Sequence, residues 1–402
     1  MVPVIFGLMG FAVDLGRLYL IRGELKTAAN AMALAAAGQL IGTDAALEIA
    51  TDTALLTLDQ GTGAGNRYNF GMLQIGQTTG LLTSETPTPA YYSTVANATA
   101  SDAEGGEEAS GTTARHVRLR VTAEAPLLFW SFLSLGQERK TSVTAQAVAG
   151  RSAPLCTACG IEPLAIAALD LEDATDFGLI PATKYTLAYF CTGAPTPAPL
   201  SGTAQVVRYL ILDHYNAEAE TLADEATQLY RIGAQGLLPS TNQAISCLAV
   251  NAEKLVWSSA APRACNQPVV SQVSAVLCGM ASRFSTELPS SCASIPEVDA
   301  VSIAYAADSD LTDLDDYATY IGNARRIITV PVVESLSSAS TMVVVGFRQF
   351  LVEPNPNDTN LNPADSNGRF AALYLGSVAP VRQGRFDGCQ LAAGPGKVVL
   401  HQ

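Results

Sequence analysis

The sequence predicts an α+β fold: a long amino-terminal helix followed by β-rich globular head domains stapled by disulfides. Three observations predict it. Apolar and small residues recur at 3,4 spacing from Val4 to Ala35. Alternating strand patterns follow, beginning at 117–121. All eight cysteines lie beyond residue 150.

The helix comes first. The opening MVPVIFGLMGFAV carries no charge over thirteen residues and is followed by Asp14, Arg17, Arg22, Glu24 and Lys26. As a helix that run reaches about 20 Å, short of the roughly 30 Å hydrocarbon core, and it lacks the basic start of a signal peptide. The spacing continues past it through Val4, Gly7, Phe11, Asp14, Leu18, Ile21, Leu25, Ala28, Met32 and Ala35. This seam predicts a helix of about 40 residues, roughly 60 Å long, ending near Gly38 or Gly42. Two readings compete for the Ala-rich stretch 28–37: an ordinary core helix, or a helix that anchors in a membrane and then packs against copies of itself. Asp14 needs a partner inside an apolar seam. Arg17 three residues on is one, and an amino terminus or a base from a neighbouring subunit is another.

After the helix, residues 43–82 mix short apolar pieces with glycine, and GTGAG at 61–65 reads as a turn that does not fit GxGxxG. Residues 83–115 are rich in Thr, Ser, Ala, Gly and Pro with an acidic run at 104–108, and read as an exposed loop. Val117, Leu119 and Val121 alternate with polar residues, as do Val143, Ala145, Ala147 and Ala149. Both read as half-buried antiparallel strands. The expected organisation is a helix over 1–42, a small α+β head over 43–150 and a cysteine-rich β-rich outer domain over 151–402.

Within that outer domain, strands are expected at 185–190, 327–333, 341–347, 370–378 and 397–400, with Pro331 placing its strand at an edge or bulge. A Pro-rich loop is expected at 193–202 and a helix at 216–234. The cysteines are Cys156, Cys159, Cys191, Cys247, Cys265, Cys278, Cys292 and Cys389. Cys156 and Cys159 form a CxxC, but no second CxxC or His pair supports zinc, no βαβ pattern supports a redox site, and Gly160 stands where haem attachment needs His. Structural disulfides are the favoured reading, with Cys156 or Cys159 to Cys191 as a local guess.

Composition excludes some functions. Charged residues are 15%, against roughly 25% in soluble domains, and the net charge is −14. That balance argues against nucleic acid as a partner. His116, His214 and His401 are the only histidines, and GxSxG, HExxH and Walker A patterns are absent. No catalytic residue, metal ligand or cofactor is assigned. Acid clusters occur at Asp170, Glu172, Asp173 and Asp176 and at Asp308, Asp310, Asp313, Asp315 and Asp316; solvated surface is favoured over calcium for both. Asp358-x-Asn360-x-Asn362 begins like a calcium loop but fails at Pro363 and Arg369. Asn97 and Asn357 head glycosylation sequons, a triplet that often arises by chance.

The run PVIFGLMGFAVDLGRLYLIRGELKTAANAMALAAA resembles the opening of TadE/TadG-like proteins of Flp (Tad) pilus systems. Pro3, the segment Val13-Asp14-Leu15-Gly16-Arg17, Leu25 and the Ala-rich tail carry the likeness, with a second similar block at 117–150. Ile5 stands where pilins carry an acid. The Asp-x-Ser-x-Ser metal motif of some relatives is absent. The resemblance implies a structural or assembly component of an extracellular pilus-like filament, whose helix residues (Val4, Gly7, Phe11, Asp14, Arg17, Leu18, Ile21, Leu25, Ala28, Met32) meet copies of itself or other pilin-like subunits. It implies residence in the inner membrane before assembly and display outside the cell. A surface adhesion or recognition module, and an exported enzyme, are the alternative readings.

Overall fold

The computed structural model describes residues 2–58, 83–84, 87–100, 109–127, 129, 140–159, 161–162, 164–212, 247–254, 256, 261–285, 289–294, 307–337, 339–354 and 359–401. The fold is α+β, with one long amino-terminal helix, β-rich units behind it and four disulfides. The expected helix at 216–234, the acidic run at 104–108, GTGAG at 61–65 and the sequon at Asn357 lie outside the described residues.

The chain forms two compact units, Met1–Arg151 with Val398–Gln402, and Ser152–Lys397. This differs from the expected division in two ways. The helix is not a domain of its own, and the last residues return to the first unit. The reason is pairing: the C-terminal strand lies antiparallel beside the strand that ends at Arg151, with Val398 opposite Arg151. The second unit is therefore an insertion between two neighbouring strands of the first.

In the first unit, helix α1 spans Val2–Gly38 and helix α2 spans Ala46–Leu58. Strands β1 (Thr83–Ser84) and β2 (Pro89–Tyr92) pair with β3 (His116–Pro126), β3 pairs with β4 (Lys140–Arg151), and β4 with β15 (Val398–His401). A short helix α3 (Val95–Thr99) follows β2. The segment 83–115 is thus not a plain loop, because β2 and α3 are built from it. α2 also escapes the sequence reading, its apolar content having been broken into short pieces.

The sheet turns Val117, Leu119, Val121 and Ala123 of β3, and Val143, Ala145, Ala147 and Ala149 of β4, onto α1. Against them α1 sets Ile21, Leu25, Ala28, Ala29, Met32, Ala33, Ala36 and Ala37. Alanine faces alanine across much of this contact, which lets helix and sheet backbones approach closely. The Ala-rich stretch is core, and the seam from Ile21 onward packs within its own unit.

In the second unit, the strands in chain order are β5 (Thr157–Cys159), β6 (Leu164–Ala167), β7 (Lys184–Tyr189), β8 (Val206–Ile211), β9 (Cys247–Ala249), β10 (Glu253–Lys254), β11 (Ile327–Val333), β12 (Met342–Val352), β13 (Phe370–Gly376) and β14 (Gln383–Arg385). The order β12-β11-β6-β8-β7-β13 returns on itself, because β13 also pairs with β12. Six strands therefore close into a barrel, with β6–β11 and β7–β8 as its parallel pairs. Every residue of β11 and β13 is buried, so both read as near-continuous apolar runs, with Thr329 the polar exception in β11. Pro331 does not sit on an edge: β11 lies between β12 and β6, and the register shifts one residue later, at Val332/Val333. Helix α4 (Ser271–Ala281) packs Val273, Val276, Leu277 and Met280 into the same core. Aromatic rings fill it further, with Phe350 and Tyr374 5.1 Å apart, and the Tyr209 hydroxyl donates to the Gly368 carbonyl at 2.8 Å.

The disulfides are Cys156–Cys389, Cys159–Cys247, Cys191–Cys265 and Cys278–Cys292. The guess that joined the CxxC to Cys191 is wrong. β5 lies between β14 and β9, which sends Cys159 to its register partner Cys247 and leaves Cys156 to Cys389. The ends of the unit meet as well: the Ser152 N–H donates to the Lys397 carbonyl at 2.8 Å, and Leu155 N–H to Pro395 at 2.9 Å.

Buried arginine–carboxyl pairs hold the loops of this unit. Arg326 donates to Glu353 at 2.9 Å and to the carbonyls of Val352, Asp310 and Thr312. Burial raises the Glu353 carboxyl to about 8 against the opposing pull of Arg326. Arg283 pairs with Glu162, both fully buried. The second acid cluster is not solvated throughout. Asp308 and Asp310 are buried, Asp308 accepting from the Tyr320 hydroxyl at 2.6 Å and Asp310 from the Thr312 and Ile321 N–H groups. In the first cluster Asp173 accepts from the N–H groups of Thr175, Asp176 and Gly178, which holds its carboxyl below the usual range. These acids build turns.

Candidate assembly site on the amino-terminal helix

α1 divides at about residue 20. Beyond it the helix is core. Before it, Leu8, Met9, Phe11, Val13, Leu15, Tyr19 and Leu20 are between 48% and 79% exposed. These residues surround the helix on several sides, which a lone helix in water does not favour. The collar they form is about 20 Å long at 1.5 Å per residue. No described helix is long and apolar enough to cross a membrane.

One face of this half is fastened to the chain's own segment after β3. Gly10 is buried, and a Cβ there would fall 2.0 Å from the Phe129 ring. Glycine is required because the ring lies directly on the helix backbone. One turn later, both carboxylate oxygens of Asp14 accept the Phe129 backbone N–H, at 3.2 and 3.1 Å. Arg17 donates to the Pro126 carbonyl at 2.8 Å. Gly10, Asp14 and Arg17 are spaced 4 and 3, so they share the face that meets 126–129.

The expected assembly residues therefore fall into three groups. Ile21, Leu25, Ala28 and Met32 are buried against their own sheet, and Asp14 is buried against Phe129. Gly7, Arg17 and Leu18 are half-buried. Phe11 is 55% exposed, and the Val4 side chain lies outside the described residues. The sequence seam missed Leu8, Met9, Val13, Leu15, Tyr19 and Leu20. For Leu8, Met9 and Val13 the signal was the absence of charge on any face of the first thirteen residues; Leu15, Tyr19 and Leu20 lie past Asp14 and off the 3,4 seam, and no local pattern marked them.

Residues 1–39 match the family model described as Putative Flp pilus-assembly TadE/G-like. The amino-terminal segment is TadE/TadG-like. The match covers the collar, the Gly10–Asp14–Arg17 face and the core half of the TadE/G-like helix, and ends at residue 39. No curated protein and no solved structure matches the chain.

A cleft lined by Tyr189, Cys191, Arg263, Gln267 and Asn367 has a cavity of about 10 Å³, enough for about one water molecule. Among the described residues no group of three or more His, Cys, Asp or Glu side chains is placed to hold a metal ion, and none of the cysteines is free.

Proposed function

We propose that this chain is a structural component of Tad-type pilus assembly, working through the exposed collar of its TadE/G-like helix. The carrying observation is a collar of seven large apolar residues on the segment that the family model matches. The charge in this half is already satisfied: Asp14 is bonded to Phe129 and Arg17 to Pro126. A partner therefore need supply only apolar surface, which suits a copy of the same helix, another pilin-like subunit, or the inner membrane before assembly. Gly7 and Gly16 have open space beside their Cα atoms, which supports close helix approach. Four disulfides support an oxidising compartment, and so display of the second unit outside the cytoplasm. The role is assembly and display without catalysis.

The test is crosslinking at the collar combined with shearing of surface fibres. A Phe11→Cys variant is expected to give linked species between copies or with other pilin-like subunits, and the protein to appear in the sheared fraction. Its retention in the cell body, with no crosslink from Phe11 or Leu15, sinks the reading.

A further inference from the structure

Two of the three histidines meet on the sheet face opposite α1. His116 begins β3 and His401 ends β15, and their rings lie 5.1 Å apart, tilted by 57°. His116 is 8% exposed. Its Nδ1 and the Nε2 of His401 are buried without a hydrogen-bond partner among the described residues. Gly150 of β4 makes the contact possible: a Cβ there would fall 2.2 Å from the His116 ring.

We propose that β15 is an acid-sensitive fastening of the first unit, held while His116 and His401 are neutral and released when they take up protons. The rings sit among bases. The charges acting most strongly on His116 come from His401 on β15, Arg151 on β4 and Arg115 just before β3. From beyond β2 the Ser93 carbonyl accepts a bond from the ring, which favours its charged form. Arg118, on the same face of β3, is bound to the Tyr92 hydroxyl and the Ala100 carbonyl. α3 brings no titratable group. Protonating both imidazoles would set two cations against each other beside two guanidiniums, with little water to screen them.

β15 is the element able to yield. It is four residues long, it occupies the edge of its sheet, and it brings His401 against the ring. β3 and β4 are paired along eleven positions and bear the α1 core. Burial first, then His401, holds the His116 imidazole down to about 4, and burial lowers His401 as well. A native state that refuses protons loses stability as pH falls. The contribution is complete above about 6.5 and drains away toward about 4. At pH 5, one imidazole freed from about 4 to about 6.5 favours the released strand roughly 30-fold.

The test is amide exchange in the full chain at pH 7.5 and pH 5.0, corrected for intrinsic rates. Protection of the β15 amides is expected to fall at least tenfold more than that of β3. In a His116→Gln/His401→Gln variant this extra loss should vanish. Equal protection of β15 at both pH values, or acid loss undiminished in the variant, overturns the proposal. If the variant does not fold, the imidazole C–H resonances of the parent decide. Ordinary titration of both rings near 6.5 overturns the proposal, and depressed titration of both, accompanied by β15 release, supports it.

Discussion

Arg151 and Val398 face each other in the register of β4 and β15, although all of 152–397 lies between them in the chain. The second unit leaves and re-enters the first at one rung of one sheet. Its own ends are tied together by the Ser152–Lys397 hydrogen bond and by the Cys156–Cys389 disulfide. Such an insertion asks nothing of the host sheet beyond two neighbouring strand ends.

Joining Arg151 to Val398 through Asn-Gly should therefore give a folded first unit, because the two residues already occupy the closing pair of a two-residue hairpin. Residues 152–397, expressed under oxidising conditions, should fold separately. Dispersed NMR spectra and cooperative melting of both fragments are the expected result. A molten spectrum from either shows that it depends on the other.

The fastening of α1 should respond to single changes. Asp14→Leu leaves the Phe129 N–H unpaired and should cost about 1–3 kcal/mol, with Asp14→Asn costing less. Gly10→Ala should also cost about 1–3 kcal/mol by driving a methyl into the Phe129 ring. Denaturant titration of the joined first unit measures these values, and neutral effects would show that the contact contributes nothing.

Reduction should separate the two units thermally. All eight cysteines lie within 152–397, so a thiol reductant should lower that unit's melting and leave the first unit's transition in place. Among single-bridge deletions, Cys278–Cys292, which closes 14 residues, should cost least, and Cys156–Cys389, which spans 233, should cost most. Calorimetry with each pair changed to alanine gives the order.

Arg326 and Glu353 should show strong coupling. Removing Glu353 leaves the Arg326 guanidinium buried without its partner, at about 3–5 kcal/mol, whereas Arg326→Met with Glu353→Met should recover part of that loss. A double-mutant cycle on the second unit checks it. Recovery should be incomplete, because Arg326 also holds the Asp310 and Thr312 carbonyls.

Much of the fold was legible where a side-chain period met a single buried face. Val117, Leu119 and Val121 announced β3, and YTLAYF announced β7, because alternation and apolar content act locally. The helix was legible for the same reason, and of the two expected ends, Gly38 and Gly42, the structure takes Gly38. Short strands such as β5, β9 and β14 were not, since three residues carry no period and their place comes from partners far along the chain. The expectation of an edge or bulge at Pro331 was met only nearby: β11 is not an edge strand, the register breaks at Val332/Val333 and the paired rungs with β6 begin at Val332, because neighbouring strands decide where a missing N–H is tolerated.

By itself, the sequence determined that a long apolar helix precedes a β-rich, disulfide-stapled body and that its opening is TadE/TadG-like, since composition, period and motif are properties of short stretches. Only the tertiary structure decided which half of that helix stays exposed, who answers Asp14, which cysteines pair, and that the last strand closes the first sheet. Each of those depends on contacts between residues distant in the chain, where loop closure and burial choose among partners that local pattern leaves equivalent.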